Sequence, residues 1–484
     1  MTGESPRPRT FIQNLDFVAT VNTTDDVISD ATVVLEEERI VAVGKAAEMR
    51  RRYPHKQIDV LVDGRRRGLV PGFVDLHVHL SETLSRASFP DNLSTRPWVF
   101  HWIMPYYGQL TPEDERVSVL LAAIEMLSSG TTCFLDMGAI NGPEVTIPTL
   151  GEVGIRVVTG RHAADVMPPE IPAGWSAEMI DRQFFPNAKT ALEVLEECVR
   201  AWDGYANGRV RCWVNIQGKE PCSAELHAGA VALSARLGVG TTFHSASTAE
   251  EAEISERRHG MTPIARMSDI GALDSHVVLA HGVAASESDI ELLAAHRTSV
   301  AFCPGTSLKL AKGATAIGKY PEMMDRGVTV GLGTDGVSAS GNLNLMRQLY
   351  LVAGLFKDAR MNPDLVGARR ALRMATIDGA RALGLADEIG SIEPGKKADF
   401  IMFNLDHPEW VPYSDPIQAL AWSATTASLD QTWVDGRAVY RDGRVHTVGD
   451  EAALVEEARH RAAALIQRAG LHLEGVPTRT GLYG

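Results

Sequence analysis

Between residues 69 and 390, short apolar runs alternate with longer stretches of helical periodicity. The apolar runs read as buried strands ending at Leu76, Leu135, Val158, Ile216, Phe243, Ala280, Phe302 and Gly333. Helical spacing of apolar positions fills 113–128, 190–203, 223–237 and 286–296 between them. Eight strand–helix units joined by right-handed crossovers predict an α/β fold, a (β/α)8 barrel of the TIM type. The ends have a different texture. Ala31–Leu35 and Arg39–Gly44 flank a charged turn at Glu36-Glu37-Glu38, and Ala398–Phe403 reads as a strand. Gln431–Val434 and Ala438–Tyr440 flank the hairpin signal Asp435-Gly436, and Asp442-Gly443 closes the next turn. The expected organisation is a small β-sandwich built from both chain ends (1–68 and 391–448) around a catalytic barrel (69–390). A C-terminal helix and tail follow over 449–484, with 451–469 amphipathic.

Chemistry-bearing residues gather at the strand ends. His77 and His79 close the run Leu69–Leu76, and residues two apart on a strand point the same way, so the two imidazoles form half of a metal site. His244 follows the fifth strand, His281 ends the sixth, and Asp335 lies in Gly333-Thr334-Asp335-Gly336 at the eighth. One histidine after one strand is ordinarily a hydrogen-bonded structural residue, and Asp-Gly is ordinarily a turn. Their joint occurrence where a barrel collects its catalytic groups is what carries weight. Three imidazoles and one carboxylate suit a divalent metal that lowers the pKa of water. Asp335 can take the water's proton, and His281 can hold the attacking oxygen and stabilise the developing oxyanion.

Composition narrows the class. Hydrophobic residues make up 45% and charged residues 22% of the chain, as in ordinary globular proteins. The net charge of −14 with no basic run argues against nucleic-acid binding. Five scattered cysteines without a C-x-x-C pair suit a reducing compartment. The start Met1–Arg9 lacks the apolar core of a signal peptide, and no stretch is long and apolar enough to span a bilayer. The expected setting is the cytoplasm, the expected partner a small-molecule substrate, and a homo-oligomer stays open.

At this point the chain resembles the amidohydrolase superfamily, in particular its aminohydrolase branch of S-adenosylhomocysteine deaminases, guanine deaminases and triazine hydrolases. The resemblance is carried by Val70–His79, Gly130–Met137, Leu279–Gly282, Cys303-Pro304, Gly333–Gly336 and Gly390–Phe400. It implies a hydrolase of carbon–nitrogen bonds other than peptide bonds. It also implies His77, His79, His244 and Asp335 as ligands of one divalent transition metal, zinc first and iron second, and His281 as the residue that orients water. The chain departs from the branch in two places. The glutamate expected three residues after His244 is Ser247, and a hydroxyl does not shuttle protons near neutral pH as a carboxylate does. The substrate-binding histidine expected five residues before Cys222-Ser223 is Gln217. Glu82 is the candidate to compensate, and Arg86 and Trp98 fall where relatives line the substrate loop. Lys219 is the candidate to be carboxylated around a second metal.

The reading is therefore deaminase-like attack by metal-activated water on an amidine-type ring carbon of a nitrogen-rich small molecule. Hydrolysis of an amide, urea or carbamate is the alternative, because it needs no ring-protonating glutamate. A non-catalytic scaffold protein is a third class, disfavoured by the complete ligand set.

Overall fold

The computed structural model describes residues 8–53, 58–168, 171–172 and 175–471. Residues 1–7, which bear on the expected lack of a signal peptide, and the tail 472–484 lie outside them. Among the described residues no helix is long and apolar enough to cross a membrane.

Eight parallel staves form the centre. They are Phe73–His79, Thr131–Asp136, Arg156–Thr159, the broken strand Val210–Cys212 and Val214–Gly218, Thr241–Ser245, Val277–His281, Ser299–Phe302 and Val330–Leu332. Each pairs in parallel with the next, the fourth through its first half to the third and through its second half to the fifth. The ring closes where Asp335–Gly336, just past the eighth stave, pairs in parallel with Val78 and His79 of the first. Side chains fill the barrel and helices cover it, so its strands are buried on both faces and read as unbroken apolar runs. Every position of Thr131–Asp136 and Val277–His281 is buried. The helices between them start on side-chain caps: Thr111 and Ser286 close capping boxes, and Ser223 accepts from Leu226 N–H.

One sequence expectation needs dividing. The apolar run 69–76 is two strands, not one. Arg67–Pro71 belongs to the terminal sheet, and after Gly72 the chain enters the barrel as Phe73–His79, so His77 and His79 lie within the strand rather than beyond it. Gly72 permits the crossing because a Cβ there would stand 2.0 Å from Thr132 Oγ1.

The chain ends interleave in one nine-stranded sheet. Arg67–Pro71 pairs parallel with Arg9–Ala19 on one side and antiparallel with Phe400–Asn404 on the other. Leu429–Val434 and Arg437–Arg441 form the expected hairpin, and Asp435 and Gly436 both have positive φ, as a two-residue turn of this hand requires. The C-terminal helix Glu451–Arg468, whose purpose the sequence leaves unread, buries Leu454, Ala458 and Leu465. They join the cluster that holds Leu84, Trp98, Tyr106 and Tyr107, while Arg461 and Arg468 pair with the buried Asp114. The helix thus backs the segment that follows barrel strand one.

A buried ion cluster locks the sheet to the barrel. Arg156 of stave three donates through Nε to Asp399 Oδ2 at 2.8 Å and also pairs with Asp435. Asp399 in turn accepts from Asp435 N–H at 2.8 Å. Removing one partner of such a cluster strands buried charge. Arg156→Met is therefore expected to cost about 3–5 kcal/mol of stability in urea unfolding. A loss below about 1 kcal/mol would contradict this account of how the two parts are joined.

Candidate metal centre

The barrel brings His77, His79, His244, His281 and Asp335 together at the C-terminal ends of its strands. Three donor separations define the cluster: His77 Nε2 to Asp335 Oδ1, His79 Nε2 to Asp335 Oδ1, and His79 Nε2 to His244 Nε2, each 3.4 Å. A cation about 2.1 Å from four tetrahedral donors keeps those donors about 3.4 Å apart. Both ring nitrogens of His77 are buried without a hydrogen-bond partner, a costly condition that a ligand to Nε2 would relieve at that nitrogen. His244 Nδ1 stands 2.7 Å from the carbonyl of Gln217, which can only accept, so Nδ1 carries the proton and Nε2 offers its lone pair. The residues fit a divalent metal.

Their charge states suit it as well. Burial first, then the neighbouring His77, lowers the His79 pKa to about 3. His244 and His281 are held well below the usual imidazole range, chiefly by burial, so all three rings are neutral near pH 7. Burial works to raise the Asp335 carboxyl, but His77, His281 and Lys312 outweigh it and hold it well below the usual carboxylate range. His281 Nε2 lies 3.8 Å from Asp335 Oδ2. His281 and Asp335 both adopt left-handed backbone conformations, φ +79° and +63°, which cost a non-glycine residue of order 1–3 kcal/mol and cluster where function fixes the geometry.

Two buried carboxylates that the sequence did not single out hold the ligand strands. Asp75 accepts from Thr334 Oγ1 at 2.6 Å, Thr334 N–H at 3.0 Å and His77 N–H at 3.2 Å, tying stave one to the residue before Asp335. Burial raises its pKa to about 7 against those hydrogen bonds. Asp136 accepts from Leu80 N–H and Thr159 Oγ1 at the neighbouring strand ends. An acid inside an otherwise apolar strand was the signal available for both.

Beside the cluster lies a cavity of about 50 Å³, lined by His79, His244, His281 and Asp335 together with Glu82, Trp98, Tyr107, Gln217, Lys219 and Lys312. Glu82 is fully buried in its wall, with Oε1 3.9 Å from His79 Nδ1. Tyr107 and Ser338 donate to its two oxygens. Burial outweighs these bonds and pushes its pKa up to about 8, so it is a neutral acid at pH 7. Gln217 and Trp98 line the cavity as expected. Arg86 and Ser247 do not: Arg86 pairs with Glu125 and donates to the Gly341 carbonyl at 2.9 Å, and Ser247 is buried with its N–H on Glu251. Lys219 also reaches Glu251, at 3.6 Å. Lys312 and Tyr107, unremarked in the sequence, enter from the segments after staves seven and one.

Comparison with known proteins places the chain in a family. The amidohydrolase family model matches residues 69–439. A 5-methylthioadenosine/S-adenosylhomocysteine deaminase of Symbiobacterium thermophilum is 34% identical over 86% of this chain and 90% of its own. The deaminase of the same description from Desulforamulus reducens is 30% identical over 93% and 97%. An adenosine deaminase from Xanthomonas campestris, solved with bound zinc, superposes with a TM-score of 0.82 at 26% identity, covering 96% of this chain and all of that one. An atrazine chlorohydrolase from Arthrobacter aurescens, complexed with zinc, shares the fold at a TM-score of 0.81 and 24% identity, covering 94% and 100%.

The cluster geometry predicts a metal stoichiometry. Stripped by a chelator and refilled, the protein should take up about one equivalent of zinc per chain, measured by plasma mass spectrometry. His77→Ala and His244→Ala should each lose most of it. Full loading of both variants, or two tight equivalents in the parent, would contradict the assignment.

Proposed function

The chain belongs to the amidohydrolase family and is a metal-dependent hydrolase of carbon–nitrogen bonds; from that premise we propose that it deaminates a nitrogen-rich small molecule, with His77, His79, His244 and Asp335 holding one metal. The observation that carries the ligand set is the three equal donor separations of 3.4 Å. Zinc is the first choice and iron the second, since three imidazoles and a carboxylate suit either. When bound, such a cation lowers the pKa of water toward neutrality and polarises the group under attack.

The remaining steps belong to the chain's own side chains. Asp335, anionic near pH 7, takes a proton from the attacking water. His281 faces the same cavity and hydrogen-bonds the oxygen that gains negative charge at the reacting carbon. Glu82 supplies the proton that a ring nitrogen needs as its neighbouring carbon becomes tetrahedral. It is the protonated carboxylic acid in the cavity wall, whereas Ser247 lies outside that wall. Ammonia or an amine then leaves with the proton that Asp335 took, and the hydroxyl proton of the collapsing intermediate returns to the Glu82 carboxylate as the carbonyl of the product forms. The placement of a buried carboxyl, Glu82, in the cavity wall favours this route over hydrolysis of an amide, urea or carbamate, which needs no second acid.

A screen of purines, pterins, triazines, ureas and carbamates, scored for ammonia and amine release, identifies the substrate class. On a ring-amine substrate, Glu82→Gln is expected to lower kcat by about 10²–10⁴ while leaving KM within a few-fold, because it removes a proton rather than a contact. Turnover within about threefold of the parent would remove Glu82 from the chemistry. Release of amine from ureas or carbamates with a neutral Glu82→Gln would establish the alternative.

A further inference from the structure

Lys219, Lys312 and Trp98 put nitrogen donors into the wall of the cavity beside the histidine cluster. Its carboxylates are already engaged. Glu82 receives Tyr107 and Ser338, and Asp335 faces the histidines; Glu251, outside the cavity lining behind Lys219, receives the N–H groups of Ala246 and Ser247 at 2.8 Å each. Two nitrogen donors in the cavity wall, Lys312 Nζ and Trp98 Nε1, reach no acceptor oxygen. Lys312 is 6% exposed, and its Nζ reaches only the His281 ring, at 3.2 Å to Nε2 and 3.5 Å to Nδ1; among the described residues no carboxylate lies within ion-pair distance of it. Trp98 is 9% exposed, lines the same cavity, and has a buried Nε1 with no partner. Indole N–H is a donor only, and an ammonium has three donors and no acceptor. Asp335 acts on this ammonium only from beyond ion-pair distance, and burying an ammonium with no carboxylate in contact is expensive, a cost that an anionic oxygen beside it offsets.

The backbone fixes Lys312 in this position. Its N–H donates to the Ser307 carbonyl at 2.9 Å, and Ala311 before it takes a left-handed conformation, φ +50°, at the turn that follows the helix Pro304–Lys309. Lys219, also at positive φ and on the opposite loop, adds a second ammonium to the wall.

We propose that Lys312, helped by Trp98 Nε1 and Lys219, forms an anion-binding subsite next to the metal cluster, so that the substrate is a nitrogenous small molecule carrying an anionic oxygen substituent, carboxylate or phosphate, close to the carbon that is attacked. The inference rests on the hydrolase reading above and narrows its substrate class. Neutral heterocycles leave Lys312 buried beside an imidazole, whereas an anionic ring satisfies it on binding.

Three matched probes test this on the zinc-loaded protein by titration calorimetry: benzoate, phenyl phosphate and the neutral benzamide. Benzoate or phenyl phosphate should bind at least about tenfold more tightly than benzamide, as a charge-assisted hydrogen bond in a dry site implies, and whichever binds better identifies the anion. Lys312→Met, which keeps the length and loses the charge, should bring the ratio to within about threefold of one. Lys312→Arg should retain much of it. Trp98→Phe provides an independent check should Lys312→Met fail to fold, and is expected to reduce anion binding by a few-fold. Equal or absent binding of the anionic and neutral probes to the parent overturns the subsite. So does an undiminished preference in Lys312→Met, which would mean the anion sits on the metal alone. Zinc content and turnover are read on the same preparations. A metal-loaded, active parent without discrimination defeats only the subsite, whereas a parent that neither holds zinc nor hydrolyses any screened compound defeats the hydrolase reading beneath it.

Discussion

The site depends on how the barrel closes. Stave eight alone brings no ligand to stave one; the short pairing of Asp335–Gly336 with Val78 and His79 does. Asp75 holds that seam from inside, bonding to both the amide and the hydroxyl of Thr334 and to the amide of His77. A buried acid in that position costs free energy that its three hydrogen bonds offset. The return is that His77, His79 and Asp335 are held in one frame, with the donor separations of a tetrahedral cation site.

Around that frame, the molecule is arranged to keep charge out of the rings and available in the walls. Burial keeps His79 and His244 neutral, as ligands must be, while the same burial raises the Glu82 pKa to about 8. Glu82 and Asp335 thus face one cavity in opposite protonation states, the separation of roles that acid–base chemistry at a single site requires. The C-terminal helix contributes at a distance, because its apolar face packs in the cluster that includes Trp98 and Tyr107. Truncating that face would loosen the wall that holds the acid.

Much of this was legible in the chain itself. The eight barrel strands could be placed because parallel strands buried on both faces leave continuous apolar runs, and His77, His79, His244, His281 and Asp335 stood out because each falls at a strand end. Glu82 could be suspected from its position three residues past His79. What could not be read was anything decided by tertiary convergence. Lys312 and Tyr107 lie on segments far apart in sequence, and nothing local to either distinguishes a solvated side chain from one turned inward. Arg86 looks like a pocket residue by position, yet Glu125 and the Gly341 carbonyl draw it away. The break at Gly72 was hidden because both strands it separates are apolar, and only the contact with Thr132 reveals why a glycine stands there.

The central claim is that three imidazoles from staves one and five and one carboxylate from just past stave eight hold one metal. X-ray absorption at the zinc edge of the refilled protein tests it most directly. The account predicts nitrogen and oxygen neighbours at about 2.0–2.1 Å with the multiple-scattering pattern of imidazole, and the loss of one imidazole contribution in His244→Ala. A sulfur neighbour at about 2.3 Å, or a second metal at about 3.5–4 Å, would contradict it.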